Sequence, residues 1–208
     1  MLILVQSLGL HFFTYNTKLY KYIKNMFIEG AKEMEEKSKA QKIALSGVLI
    51  GLAVVFGTFS IPIGVAKISP IQHFVNVVGA ITLGPIYALA NAFAASLIRN
   101  ILGTGSLLAF PGSMVGALLA GILYKNFKKI FAAAVGEIIG TGVLGALLAY
   151  PIAKLFMGKE GAIFMFVSPF IMSCSAGALI GYFFLKIPAI KNILIENQPV
   201  SDKEAHQI

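Results

Sequence analysis

Apolar residues run along this chain in six blocks, 43–61, 71–83, 85–101, 107–124, 130–153 and 162–185, separated by short charged, glycine or proline joints. Of nine acidic residues, only Glu137 falls between Glu36 and Glu160. A soluble domain of that size needs a polar skin, and this stretch has none to offer. The pattern predicts membrane helices. Crossing ~30 Å of hydrocarbon takes about 20 helical residues, so the first, fifth and sixth blocks are comfortable spans. Ile71 to Ile101 is too long for one ordinary span and tight for two, and Gly84-Pro85 marks the break.

Lysine placement decides between one crossing and two. Lys32, Lys37, Lys39 and Lys42 precede the first block, and Lys186 and Lys191 follow the last, so both ends are expected in the cytoplasm. Two short helices over 71–101, or a re-entrant hairpin, keep the loop with Lys125, Lys128 and Lys129 on the same side. The outer loops are then 62–70, 102–106 and 154–161. The expected fold is an all-α integral membrane protein, a bundle of six transmembrane helices over residues 34–190, followed by a polar cytoplasmic tail, 191–208.

Composition agrees: 57% of residues are hydrophobic, and mean hydropathy is +0.82. At 208 residues the chain allows one bundle. Its +8 formal charge gathers at the ends and in one loop, as topology signals do, and predicts no nucleic-acid surface. A single cysteine, Cys174, excludes an intrachain disulfide and a cysteine-zinc cluster; it reads as a small packed residue. Residues 1–33 do not match the rest, being too short an apolar run to span and lacking a signal-peptide leader. Glu29, Gly30 and Ala31 can be encoded by a purine-rich ribosome-binding tract just upstream of Met34. Met34 is therefore the expected start and 1–33 translated leader, the alternative being an amphipathic helix on the membrane surface.

No Walker loop, dinucleotide fingerprint or HExxH helix is present, so this chain alone is no ATPase; metal and cofactor are expected to be none. Energy must come from an ion gradient or partner subunits. Polar residues inside the apolar blocks then carry the interest, because ionisable groups in hydrocarbon face a cavity or a partner. Arg99, with Asn100 beside it, ends the third block near the outer surface, where a guanidinium either snorkels or binds. Gln72, His73 and Asn76 open the second block at that level, the last two on one helical face. Glu137 is expected deeper, in the cytoplasmic half of the fifth span with Thr141 one turn on, as a second polar site. Its carboxyl is either protonated or bonded to neighbouring hydroxyls.

The segment RNILGTGSLLAFPGSMVGALLAGILY is the most distinctive, with Gly103, Gly105, Pro111 and Gly112 predicting an unwound entry to the fourth helix. Together with PIGVAKISPIQHFVNVVGAITLGP it closely resembles the ThiW family, substrate-binding S components of energy-coupling factor (ECF) vitamin transporters. The resemblance covers roughly residues 40–188. It implies a six-helix S component with one small pocket near the outer face, docked on a transmembrane coupling subunit with two cytoplasmic ATPases, and no catalysis of its own. It also implies the thiamine precursor hydroxyethylthiazole as ligand, which needs an apolar slot with a few hydrogen-bonding groups. Candidate binding residues are His73, Asn76, Arg99, Asn100, Thr104, Ser106 and Ser113, with Phe110 or Tyr150 for stacking.

The S components' AxxxA docking pattern has a counterpart in Ala40 and Ala44, followed by Gly47 and Gly51, although Val48 interrupts it. Packing within the bundle is the alternative use of that face. Another thiamine-related precursor is the nearest competing ligand. A membrane enzyme acting on a lipid is the competing function, but it would want paired carboxylates or a metal motif.

Overall fold

A computed structural model describes residues 39–63, 66–158 and 163–196. The expectations for the leader 1–33, most of the tail and the centre of the 154–161 loop lie outside the described residues. The described helices belong to one compact unit, apart from the opening residues of the first helix.

The six apolar blocks are six long helices. They are α1 (Lys39–Gly57), α2 (Pro70–Thr82), α3 (Pro85–Ile101), α4 (Ala109–Phe127), α5 (Ile130–Met157) and α6 (Val167–Lys186). A short α7 (Pro188–Lys191) follows. Helices α1, α5 and α6 are long and apolar enough to cross a membrane. Between α1 and α2, where the sequence predicts only a loop, strands β1 (Ile61–Ile63) and β2 (Ala66–Ile68) pair antiparallel, with Pro62 opposite Lys67. Prolines set the N-termini of α2 and α3, where a missing N–H costs nothing. Gly84 joins those two helices at φ +85, a backbone conformation that other residues resist.

The bundle is apolar outside and buries its polar residues. Phe59, Leu155 and Ile101 are each 76% exposed, whereas Gln72, His73, Asn76, Arg99, Ser113, Glu137 and Thr141 are buried. Such a distribution suits lipid and would be costly in water. The protein is an all-α membrane protein. Helix α2 is buried on nearly every side and lies against α3, α4, α5 and α6, so its polar face looks onto other helices.

Helices α4 and α5 meet along a seam of small residues. A methyl group on Gly136 would come within 2.8 Å of the Ala120 backbone, one on Gly140 within 2.7 Å of Gly116 Cα, and one on Gly145 within 2.6 Å of Gly112 Cα. The facing residues on α4, 112, 116 and 120, are four apart. On α5 the spacing is four and then five. A π-helical stretch, Gly140–Gly145, absorbs the extra residue, because its wider turn keeps position 145 on the seam. Close approach of this kind is how membrane helices gain packing without a hydrophobic driving force.

Candidate functional site

The polar residues of α2, α3, α4 and α5 form one connected chain of hydrogen bonds. Arg99 of α3 turns inward, 4% exposed, so it is no snorkelling anchor. Its Nη2 donates to Gly57 O of α1 at 2.7 Å, and its Nη1 to Ser69 Oγ at 3.3 Å and Gln72 Oε1 at 3.2 Å. Gln72 Nε2 donates to Ser113 Oγ at 3.1 Å. The Ser113 hydroxyl lies 3.4 Å from Asn76 Oδ1, to which it donates. Asn76 Nδ2 then donates to Glu137 Oε1 at 3.0 Å. His73 Nδ1 lies 2.7 Å from the same oxygen, and Thr141 Oγ1 lies 2.9 Å from it and 3.0 Å from Gly112 O.

Gln72 turns its carbonyl toward Arg99 and its NH2 toward Ser113. The Asn76 NH2 lies within reach of Ser113 Oγ and O as well as Glu137 Oε1. The relay therefore joins Arg99 to Glu137 through bonded polar groups, which offsets the desolvation of both ends.

Glu137 is fully buried, with Oε2 lacking a hydrogen-bond partner. Gly116 makes room for it: a methyl there would sit 2.8 Å from that oxygen and on top of Thr141 Oγ1. Gly177 of α6 similarly lets that helix pass beside His73, whose Cβ would be 2.7 Å from an added methyl.

Against this relay lies a cavity of about 60 Å³, lined among others by Ser69, Gln72, His73, Arg99, Ser106, Ser113, Phe170 and Ser173. At roughly 10–15 Å³ per water-sized probe, it has room for a few waters, and a ring-sized ligand needs it to widen. Phe170 provides an aromatic wall, its ring lying over Gly112. Ser173 Oγ accepts from the Ser69 N–H at 2.9 Å, tying α6 to the start of α2.

Of the residues that the sequence singles out, His73, Arg99, Ser106, Ser113 and Thr141 line the cavity. Asn76 stands behind Ser113 in the relay. Asn100 and Thr104 shape the wall instead: Asn100 Nδ2 ties Ser96 O at 2.8 Å and Ser106 O at 3.2 Å, and Thr104 Oγ1 approaches Arg99 O at 3.3 Å. Phe110 packs on Phe93 at 5.8 Å, and Tyr150 packs against an apolar cluster that includes Phe166 and Phe170; neither ring lines the cavity. Glu137 and Thr141, expected to form a separate, deeper site, belong to the same network as His73. Ser69, Phe170 and Ser173 also line the cavity, and sequence reasoning does not single them out. The only signal for the α6 pair is the i, i+3, i+7 face of Phe170, Ser173 and Gly177, which carries no charge to mark it.

Asn100→Ala should remove two backbone ties and weaken ligand binding by ~1–2 kcal/mol, about 5- to 30-fold. Thr58→Ala, whose hydroxyl bonds only Val55 O within its own turn, should leave affinity unchanged. Calorimetry on the two purified variants checks both.

The sequence model of the family described as thiamine-precursor transporter protein (ThiW) matches residues 43–190. The chain belongs to the ThiW family. That match spans every helix of the site, from α1 through α6. No curated protein matches the chain, and no solved structure does. As a ThiW-family thiamine-precursor transporter, the chain has a small-molecule substrate, and in this cavity polar and aromatic groups converge on empty space.

Proposed function

We propose that this ThiW protein is the substrate-binding S component of an ECF-type importer and that it captures hydroxyethylthiazole from outside the cytoplasmic membrane. The cavity beside the Arg99–Glu137 relay is the observation that carries this. The polar groups that face the cavity are already tied into the relay, which fits a neutral ligand rather than one that needs a countercharge. Phe170 offers the aromatic ring a face, while Ser106, Ser113 and His73 offer hydrogen bonds. His73, Asn76, Arg99, Asn100, Thr104, Ser106, Ser113, Glu137 and Thr141 make or support the site in this proposal.

The coupling subunit would dock on α1. Ala44, Gly47 and Gly51 are exposed, and among the described residues nothing lies within 4 Å of a methyl placed on either glycine. Packing inside the bundle falls instead to Leu49 and Ala53, the buried side of that helix, which leaves the small face open for a partner helix. Two cytoplasmic ATPases would drive release.

Reconstituted vesicles test the division of labour. The isolated chain is expected to bind thiazole and not to concentrate it; uphill accumulation under an imposed proton or sodium gradient would contradict the proposal. Both ends are expected in the cytoplasm. A cysteine replacing Lys128 should then resist an impermeant thiol reagent in intact cells, and its labelling would overturn this topology.

A further inference from the structure

The relay fixes which way a ligand can lie. Three donor groups approach Glu137 Oε1, from His73, Asn76 and Thr141, so that oxygen acts as an acceptor and the His73 Nδ1 carries the hydrogen between them. In neutral imidazole the other nitrogen, Nε2, is then a lone-pair acceptor. It is the ring's remaining polar atom, on the edge away from Glu137, and the ring lines the cavity. At the opposite end stands Arg99, which has five N–H donors. Gly57 O, Ser69 Oγ and Gln72 Oε1 engage three of them; Nε is sealed beside Gly57 of α1, which leaves one Nη2 N–H for a ligand. No described carboxylate lies within ion-pair distance of Arg99; Glu137 is engaged by His73 Nδ1 instead. The cavity thus has a donor-rich end at Arg99 and an acceptor end at His73.

We propose that a small neutral heteroaromatic alcohol lies along the relay with its acceptor atom toward Arg99 and its hydroxyl donating to His73 Nε2. His73 is in this way the residue that distinguishes a hydroxyl-bearing ring from the same ring without one. Glu137 is a positioning residue that holds the imidazole in the accepting tautomer. A ligand turned end for end would set acceptor against acceptor at His73, and one with a net charge would leave that charge unbalanced in a buried site.

This inference rests on the transport role proposed above, and one comparison separates the two. Hydroxyethylthiazole and its deoxy analogue, with ethyl in place of hydroxyethyl, are titrated by calorimetry into the purified full chain and into His73→Ala. Native protein should prefer the alcohol by about tenfold or more, as a buried acceptor left unpaired requires. In His73→Ala the preference should fall to about one, whatever the overall loss of affinity, whereas damage to folding alone would weaken both ligands alike. A native preference under about threefold overturns the inference, and so does a preference that survives in His73→Ala. Should that variant not fold, the native ratio decides. No binding of the alcohol by native protein overturns the transport role and the inference together, while equal binding of both ligands overturns the inference alone.

Discussion

Replacing Glu137 by alanine should cost the bundle about 2–4 kcal/mol and abolish measurable ligand binding. Asn76 and Thr141 would keep second partners in Ser113 and Gly112 O, but His73 Nδ1 would lose its sole one. The Arg99 cation would also lose the carboxyl group at the far end of the relay. Glu137→Gln, which keeps an acceptor oxygen near His73 and Asn76, should retain most of the stability. Thermal unfolding of the detergent-solubilised chain distinguishes them. A Glu137→Ala protein as stable as the native one would show that the carboxylate is not tied into the core as described.

Gly116→Ala is expected to be nearly as damaging, although it adds a single methyl. That methyl would coincide with Thr141 Oγ1 and sit 2.9 Å from the Glu137 carboxyl carbon. Either α4 and α5 part along their glycine seam or the carboxylate leaves its three donors. Overpacking of a tight core costs ~1–3 kcal/mol, and loss of the His73 contact adds a fall in affinity of about tenfold or more. Gly47→Ala, where an added methyl meets nothing within 4 Å among the described residues, should change neither stability nor binding. Paired melting and titration of the two variants provides the measurement, and a Gly116→Ala protein with native affinity would contradict the close α4–α5 approach.

The helices are legible in the sequence because hydrocarbon imposes a length and a polarity on each crossing, and the break at Gly84-Pro85 needs no tertiary information. The depth of Glu137 is not legible. Counting from the inner end assumes that every helix crosses squarely and with equal length, yet α5 has 28 residues, about 42 Å of helix, and α2 has only 13. A residue low on the long helix therefore meets residues high on the short one. The π-helical turn at Gly140–Gly145 is hidden for a related reason: its glycine spacing of four and then five makes sense only opposite the even spacing on α4. Phe110 and Tyr150 look like stacking partners because aromatic residues near the outer end are scarce candidates, but rotation about a helix axis decides which ring faces inward. Phe170 is the one so turned, and its neighbours in sequence do not reveal it.

Titration of hydroxyethylthiazole into the purified full-length chain, with Ser113→Leu as partner sample, tests the site most directly. Ser113 lines the cavity and stands mid-relay, so leucine there would fill the space and break the chain of bonds together. Saturable one-to-one binding by native protein, lost in Ser113→Leu while the helical fold persists, is the expected result. Unchanged thiazole binding in a folded Ser113→Leu protein would place the ligand elsewhere.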